Sequence, residues 1–144
     1  MDDATRDAIE RDCFRLMMTY ARRLDAHETD KVMELFVEDC VVVFGGRVFN
    51  GREAVRKTLA GLAARGPVMS HVTTNLWVEP IDENTAEGGA YYSVLGAAPR
   101  TDGEVPTHSG TLLGRYSDRY RRTPEGWRFE RRETENIMQA PKAE

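Results

Sequence analysis

Three residues in this chain combine side-chain types suited to moving a proton: His71, Asp25 and Tyr20. An imidazole titrates nearest neutrality of the common side chains, so it can take a proton and give it back. A carboxylate accepting its Nδ1–H would hold the ring in one tautomer and stabilise the imidazolium, while a neutral phenol could donate to a substrate oxygen. Such a set suits proton abstraction beside an activating group with departure of a hydroxyl or halide, and that reaction requires neither a redox cofactor nor a metal. Each residue also has a chemically silent reading. His71 could be a satisfied structural histidine, Asp25 a cap or a partner of Arg22 or Arg23, and Tyr20 a core aromatic with a wet tip. Distance separates the two: a working pair must lie within about 3.2 Å or share a water.

His71 falls in the strand-like segment Ser70–Glu79, where period-two alternation puts His71, Thr73, Asn75 and Trp77 on one face and Val72, Thr74, Leu76 and Val78 on the other. Alternation nominates Asn75 and Trp77, with Phe44, Tyr92, Tyr116 and Asn136, as substrate-facing residues. Tyr20 and Asp25 belong to an opening helix whose apolar stripe is Ile9, Cys13, Leu16, Met17, Tyr20 and Leu24. A neighbouring ladder, Phe14, Met18 and Ala21, widens that stripe and ends on Asp25, where the pattern asks for an apolar residue. Tyr20 and Asp25 stand about 140° apart around such a helix, so both can border one cavity without aiming at the same atom.

Further along, Lys31–Phe36 reads as a short helix with Asp30 as its N-cap. Cys40–Phe44 and Arg47–Asn50 flank Gly45-Gly46 as a hairpin, because glycine tolerates the positive φ of primed turns. Gly51–Ala64 resumes a helical pattern through Val55, Leu59 and Leu62, which Gly66-Pro67 stops. Ser70–Glu79, Thr85–Ala97, Thr111–Arg122 and Trp127–Asn136 then read as strands of one antiparallel sheet. The connection Ala98–Ser109 is long enough for a lid or a subunit contact, and His27 and His108 fall in turn-like, exposed segments. Helices followed by long strands predict an α+β fold, with helices on one face of a curved sheet around a concave site.

Composition narrows the classes. The 144 residues fit one domain, residues 1–144, and 40% hydrophobic with 31% charged residues is an ordinary globular balance. A net charge of −4 offers no basic field for nucleic acid. Arg119, Arg121, Arg122, Arg128 and Arg131 alternate with aromatics, as on the solvated face of strands. The acidic opening Met1-Asp2-Asp3 is not a secretory signal and the run Cys40–Phe44 is too short to span a bilayer, so cytoplasmic residence away from membranes is expected. Cys13 and Cys40, without a CxxC or Cys/His cluster, read as reduced core residues. No HExxH, GxGxxG or GxxxxGK[ST] pattern is present, so no cofactor and no metal is expected.

The order and spacing of Tyr20–Asp25, the Gly45–Gly51 hairpin with its following helix, Ser70–Asn75, and Gly126–Phe129 leading to Arg132 resemble the SnoaL-like branch of the nuclear-transport-factor-2-like superfamily. The likeness is to bile acid 7α-dehydratase, scytalone dehydratase and lindane dehydrochlorinase. It implies a cone-shaped roll, three N-terminal helices packed on a curved, mixed but mainly antiparallel sheet. It also implies a His71–Asp25 catalytic dyad, Tyr20 as a donor to substrate oxygen, and Arg132 stabilising negative charge. The function implied is a cofactor-independent lyase, dehydratase-like, acting on a small, mostly apolar cyclic molecule. Two other roles occur on such cones: a binding module without chemistry, and the small structural subunit of a ring-hydroxylating dioxygenase. Self-association is expected, as a trimer by resemblance or as a dimer.

Overall fold

The computed structural model describes residues 1–108 and 110–141. Helix α1 (Asp3–Asp25) is capped by Asp2, whose carboxylate accepts the Thr5 N–H at 2.7 Å. Ile9, Cys13, Leu16, Met17, Tyr20, Ala21 and Leu24 are buried, as the main stripe requires. The second ladder is only partly covered, since Phe14 is half-buried and Met18 is exposed. Helix α2 (Thr29–Met33) is shorter and earlier than the pattern suggested, and its N-cap is Glu28 rather than Asp30. It ends there because Leu35–Val37 belongs to the core: Phe36 opens strand β1 (Phe36–Phe44), and the Leu35 carbonyl accepts the Phe129 N–H at 2.8 Å. Strand β2 (Arg47–Asn50) completes the expected hairpin, with Gly45 and Gly46 at φ 54° and 77°.

Helix α3 (Arg52–Arg65) stops at Gly66, which adopts the left-handed conformation. Four long strands follow: β3 (Val68–Pro80), β4 (Thr85–Ala97), β5 (Gly110–Thr123) and β6 (Gly126–Gln139). The sheet runs β2-β1-β6-β5-β4-β3, antiparallel at every junction except β1 with β6, which is parallel. The four later strands form the anticipated antiparallel sheet, and the hairpin joins its β6 edge to give an α+β fold with a mixed six-stranded sheet. Residues 98–108 carry no helix or strand, and Ser109, the last residue of that connection, lies outside the described residues. Cys13 and Cys40 are buried and unpaired. No helix among the described residues is long and apolar enough to cross a membrane.

One charged pair sits in the middle of this core. Asp118 on β5 and Arg132 on β6 are cross-strand partners, joined by Nε to Oδ1 at 2.8 Å and Nη2 to Oδ2 at 2.7 Å. Arg132 is completely buried and its guanidinium lies against three rings, 4.3 Å from the centroid of Tyr20, 3.9 Å from Tyr116 and 4.2 Å from Phe129. Tyr120 donates its hydroxyl to Asp118 at 2.9 Å, while Nη1 of Arg132 has no hydrogen-bond partner among the described residues. Burial pulls the arginine toward its neutral form, and Asp118 more than offsets this, so Arg132 is held cationic.

Breaking such a pair leaves an unpaired buried charge, which costs about 3–5 kcal/mol, whereas replacing both partners by apolar groups is often neutral. Asp118→Leu is therefore expected to lower stability by about that amount. Asp118→Leu combined with Arg132→Met is expected to recover most of the loss, with urea denaturation as the measurement for both.

Candidate active site

The end of α1 meets the start of β3 at a carboxylate. Asp25, the last residue of α1, accepts the backbone N–H of His71 on Oδ2 at 2.8 Å and lies 2.5 Å from the same residue's Nδ1 through Oδ1. A carboxylate is an acceptor, so Nδ1 carries the proton and the lone pair is on Nε2. Nε2 has no protein partner among the described residues, and the ring lines the cavity. The His71 side chain is only 9% exposed, which limits competition from bulk water.

The cavity holds about 370 Å³, within the range of small-molecule sites. Tyr20, Tyr92 and Tyr116 form much of one wall, with Tyr92 and Tyr116 stacked at 4.3 Å between centroids. Phe44 and Asn136 also border it, and Asn136 Oδ1 accepts the Tyr92 hydroxyl at 3.0 Å. Burial pushes the Tyr20 phenol up to about 12, although the nearby Arg132 cation pulls the other way. Tyr116 is raised well above the usual tyrosine range for the same main reason, burial. Both phenols are therefore neutral donors at physiological pH. The ring of Tyr92 is accommodated by Gly114 on the adjacent strand, where any Cβ would overlap the phenol.

Three expectations meet a different geometry. Asn75 and Trp77 do not line the cavity. Between Thr74 and Trp77 strand β3 carries one residue more than β4 opposite it, and Asn75 takes up this bulge at φ 52°. The alternation reverses there: Leu76 and Val78 turn to the core, while Trp77 turns outward, about half exposed, over the bare backbone of Gly89. Arg132 does not line the cavity either. It lies behind Tyr20 and Tyr116 and is engaged by Asp118, so its charge is spent inside the core. His27 is half-buried rather than exposed, its Nε2 lying 2.7 Å from the Pro67 carbonyl, while His108 is exposed and residues 98–108 are absent from the cavity wall.

Other lining residues escaped the sequence reading. Thr58, Leu62 and Arg65 reach the cavity from α3, whose Leu59 and Leu62 read simply as a core stripe. Val94 and Leu112 lie two positions after Tyr92 and four before Tyr116, so strand alternation from those tyrosines would have found them. Among the described residues no group of three or more His, Cys, Asp or Glu could hold a metal ion. Chemically, the arrangement offers a base at Nε2, an oriented carboxylate behind it and neutral phenol donors, in a mostly apolar chamber.

A family model described as a SnoaL-like domain matches residues 6–133. No curated protein matches the chain. Among solved structures, a proposed scytalone dehydratase from Novosphingobium aromaticivorans is 29% identical, covers 93% of this chain and 87% of its own, and superposes with a TM-score of 0.73. A proposed aromatic ring hydroxylase from the same organism is 26% identical over 90% of both chains, with a TM-score of 0.76. A hexachlorocyclohexane dehydrochlorinase, LinA type 2, shares the fold with a TM-score of 0.77 over 92% of this chain and 88% of its own, at 16% identity.

Two outcomes follow from the geometry. Long-range proton–nitrogen NMR of the neutral His71 ring is expected to show its proton on Nδ1 rather than Nε2, and Asp25→Ala to abolish that preference. Tyr20 has its folded value at about 12, above an unfolded value near 10. Its contribution to stability is complete below about pH 10 and is lost as the pH rises through about 12. Ultraviolet titration of the phenols alongside denaturation at alkaline pH checks this.

Proposed function

Because this chain belongs to the SnoaL-like family, we propose that it is a cofactor-independent lyase of the dehydratase kind, with His71 as its base. The carrying observation is the 2.5 Å contact between His71 Nδ1 and Asp25, which leaves Nε2 on the cavity side. In this reading Nε2 takes a proton from a carbon next to an activating carbonyl. The electrons of that C–H bond form the new double bond as the bond to the leaving oxygen breaks. The imidazolium returns the proton to that oxygen, so water leaves and the protein is restored. Asp25 stabilises the imidazolium in between, and Tyr20 donates a hydrogen bond to the substrate carbonyl. Neighbouring walls built from Phe44, Tyr92 and Tyr116 suit a mostly apolar ring. The resemblance to a proposed scytalone dehydratase supports the same reaction class.

The proposal includes a small-molecule substrate, a cytoplasmic setting without nucleic-acid or membrane partners, and assembly into a homo-oligomer. A likeness to a proposed aromatic ring hydroxylase favours a second reading, in which the cone serves a larger catalytic chain. Stable co-purification with a metal-carrying protein would support that alternative.

Screening hydroxylated ring compounds that carry a carbonyl for loss of water should identify a substrate. With one in hand, His71→Ala is expected to lower kcat by about 10²–10⁴-fold, and Asp25→Asn to cause a large loss, each with little change in Tm. Retained turnover in His71→Ala would sink the proposal.

A further inference from the structure

One lining residue stands apart from the chamber it borders. Among the described residues Arg65 is the only lining side chain with a permanent charge, and it is exposed at the C-terminal end of α3. The other cations of that helix are engaged: Arg52 with Glu38, and both Arg56 and Lys57 with Glu53. The Arg65 side chain has no hydrogen bond or ion pair among the described residues. No Asp or Glu lines the cavity to neutralise it, and Glu133 and Glu135, which flank the lining residue Thr134 on β6, are paired with Arg131 and Arg115. Asn136 adds a second donor. Its Oδ1 accepts from Tyr92, which leaves its amide N–H groups unclaimed among the described residues at the same cavity.

We propose that Arg65, assisted by the Asn136 amide, docks an anionic group, a carboxylate or sulfonate, on a substrate whose apolar ring occupies the chamber. The inference rests on the cavity being the substrate site proposed above, and it names the substrate class: an amphipathic ring compound with one negative charge. A guanidinium fork matches a planar carboxylate in geometry and charge, and a flexible exposed arginine pays little desolvation on meeting one. Its position on a helix rather than behind the phenols suits ground-state binding. Arg132 cannot take this part, since Asp118 already neutralises it in the core.

Two fluorescent dyes test the idea, 8-anilinonaphthalene-1-sulfonate and N-phenyl-1-naphthylamine, which is the same ring system without the sulfonate. The expected result is that both perturb the amides of Val94 and Leu112 in NMR titrations, and that the sulfonated dye binds at least about fivefold tighter at low salt. Arg65→Gln should erase that advantage while leaving the neutral dye's Kd unchanged, and Arg65→Lys should keep part of it. Added salt should narrow the gap. Equal binding of the two dyes, a gap that survives Arg65→Gln, or perturbation confined to outward residues such as Leu95 and Leu113 would overturn the proposal. Neither dye is turned over, so this failure is distinguishable from failure of the lyase reading, which His71→Ala reports on separately.

Discussion

Both oxygens of the Asp25 carboxylate are taken by one residue, the backbone N–H and the ring of His71. Those two bonds close the end of α1 onto the beginning of β3, and the chamber between helices and sheet lies beside that closure. The same bonds decide the protonation pattern of the imidazole. A carboxylate in this place therefore has both a structural and an electronic consequence: the geometry that secures the helix end also frees Nε2.

Behind the chamber the fold spends a second charge pair differently. Asp118 and Arg132 face each other across β5 and β6 and are enclosed by rings from α1 and the sheet. The guanidinium gives Tyr20 and Tyr116 a flat, polarised backing, so rings that form the cavity wall are held from behind. This burial of a full ion pair is costly without complete pairing, and the tyrosine hydroxyl on Asp118 supplies a further bond. The result is a wall of neutral phenols, with Asp118 and Arg132 locked in the core behind it and Arg65 exposed at the end of α3. Solved structures of similar shape carry different names, which accords with a frame that constrains the wall's position more than the chemistry it hosts.

Local pattern carried much of this protein. Three- and four-residue spacing in α1 marked the buried face on which Tyr20 lies, and an aspartate at the end of a neighbouring ladder stood out because burial disfavours it. Two glycines marked the hairpin and Gly66 the end of α3, since positive φ is a property of the residue itself. Alternation placed Tyr92 and Tyr116 toward the interior for the same reason, since successive side chains on an unbroken strand must point to opposite faces, whereas Asn136 borders the cavity from an exposed position on β6, whose register against β5 slips on either side of it.

Tertiary structure decided what alternation cannot carry across an interruption. One additional residue at Asn75 reversed the faces of β3, and the space over Gly89 on the neighbouring strand received the Trp77 ring, so two residues left the site. Arg132 and Asp118 are 14 positions apart in sequence, and only β5–β6 pairing makes them face each other and withdraws the arginine from the cavity. Residues of α3 entered the wall because that helix packs beside the sheet, a placement its own periodicity does not encode. Sequence alone thus determined the local conformations and the chemical types on offer, since those follow from dihedral preferences and short periods. Which of them share one hollow was settled by pairing and packing between distant segments, where a single inserted residue or a facing charge outweighs any local rule.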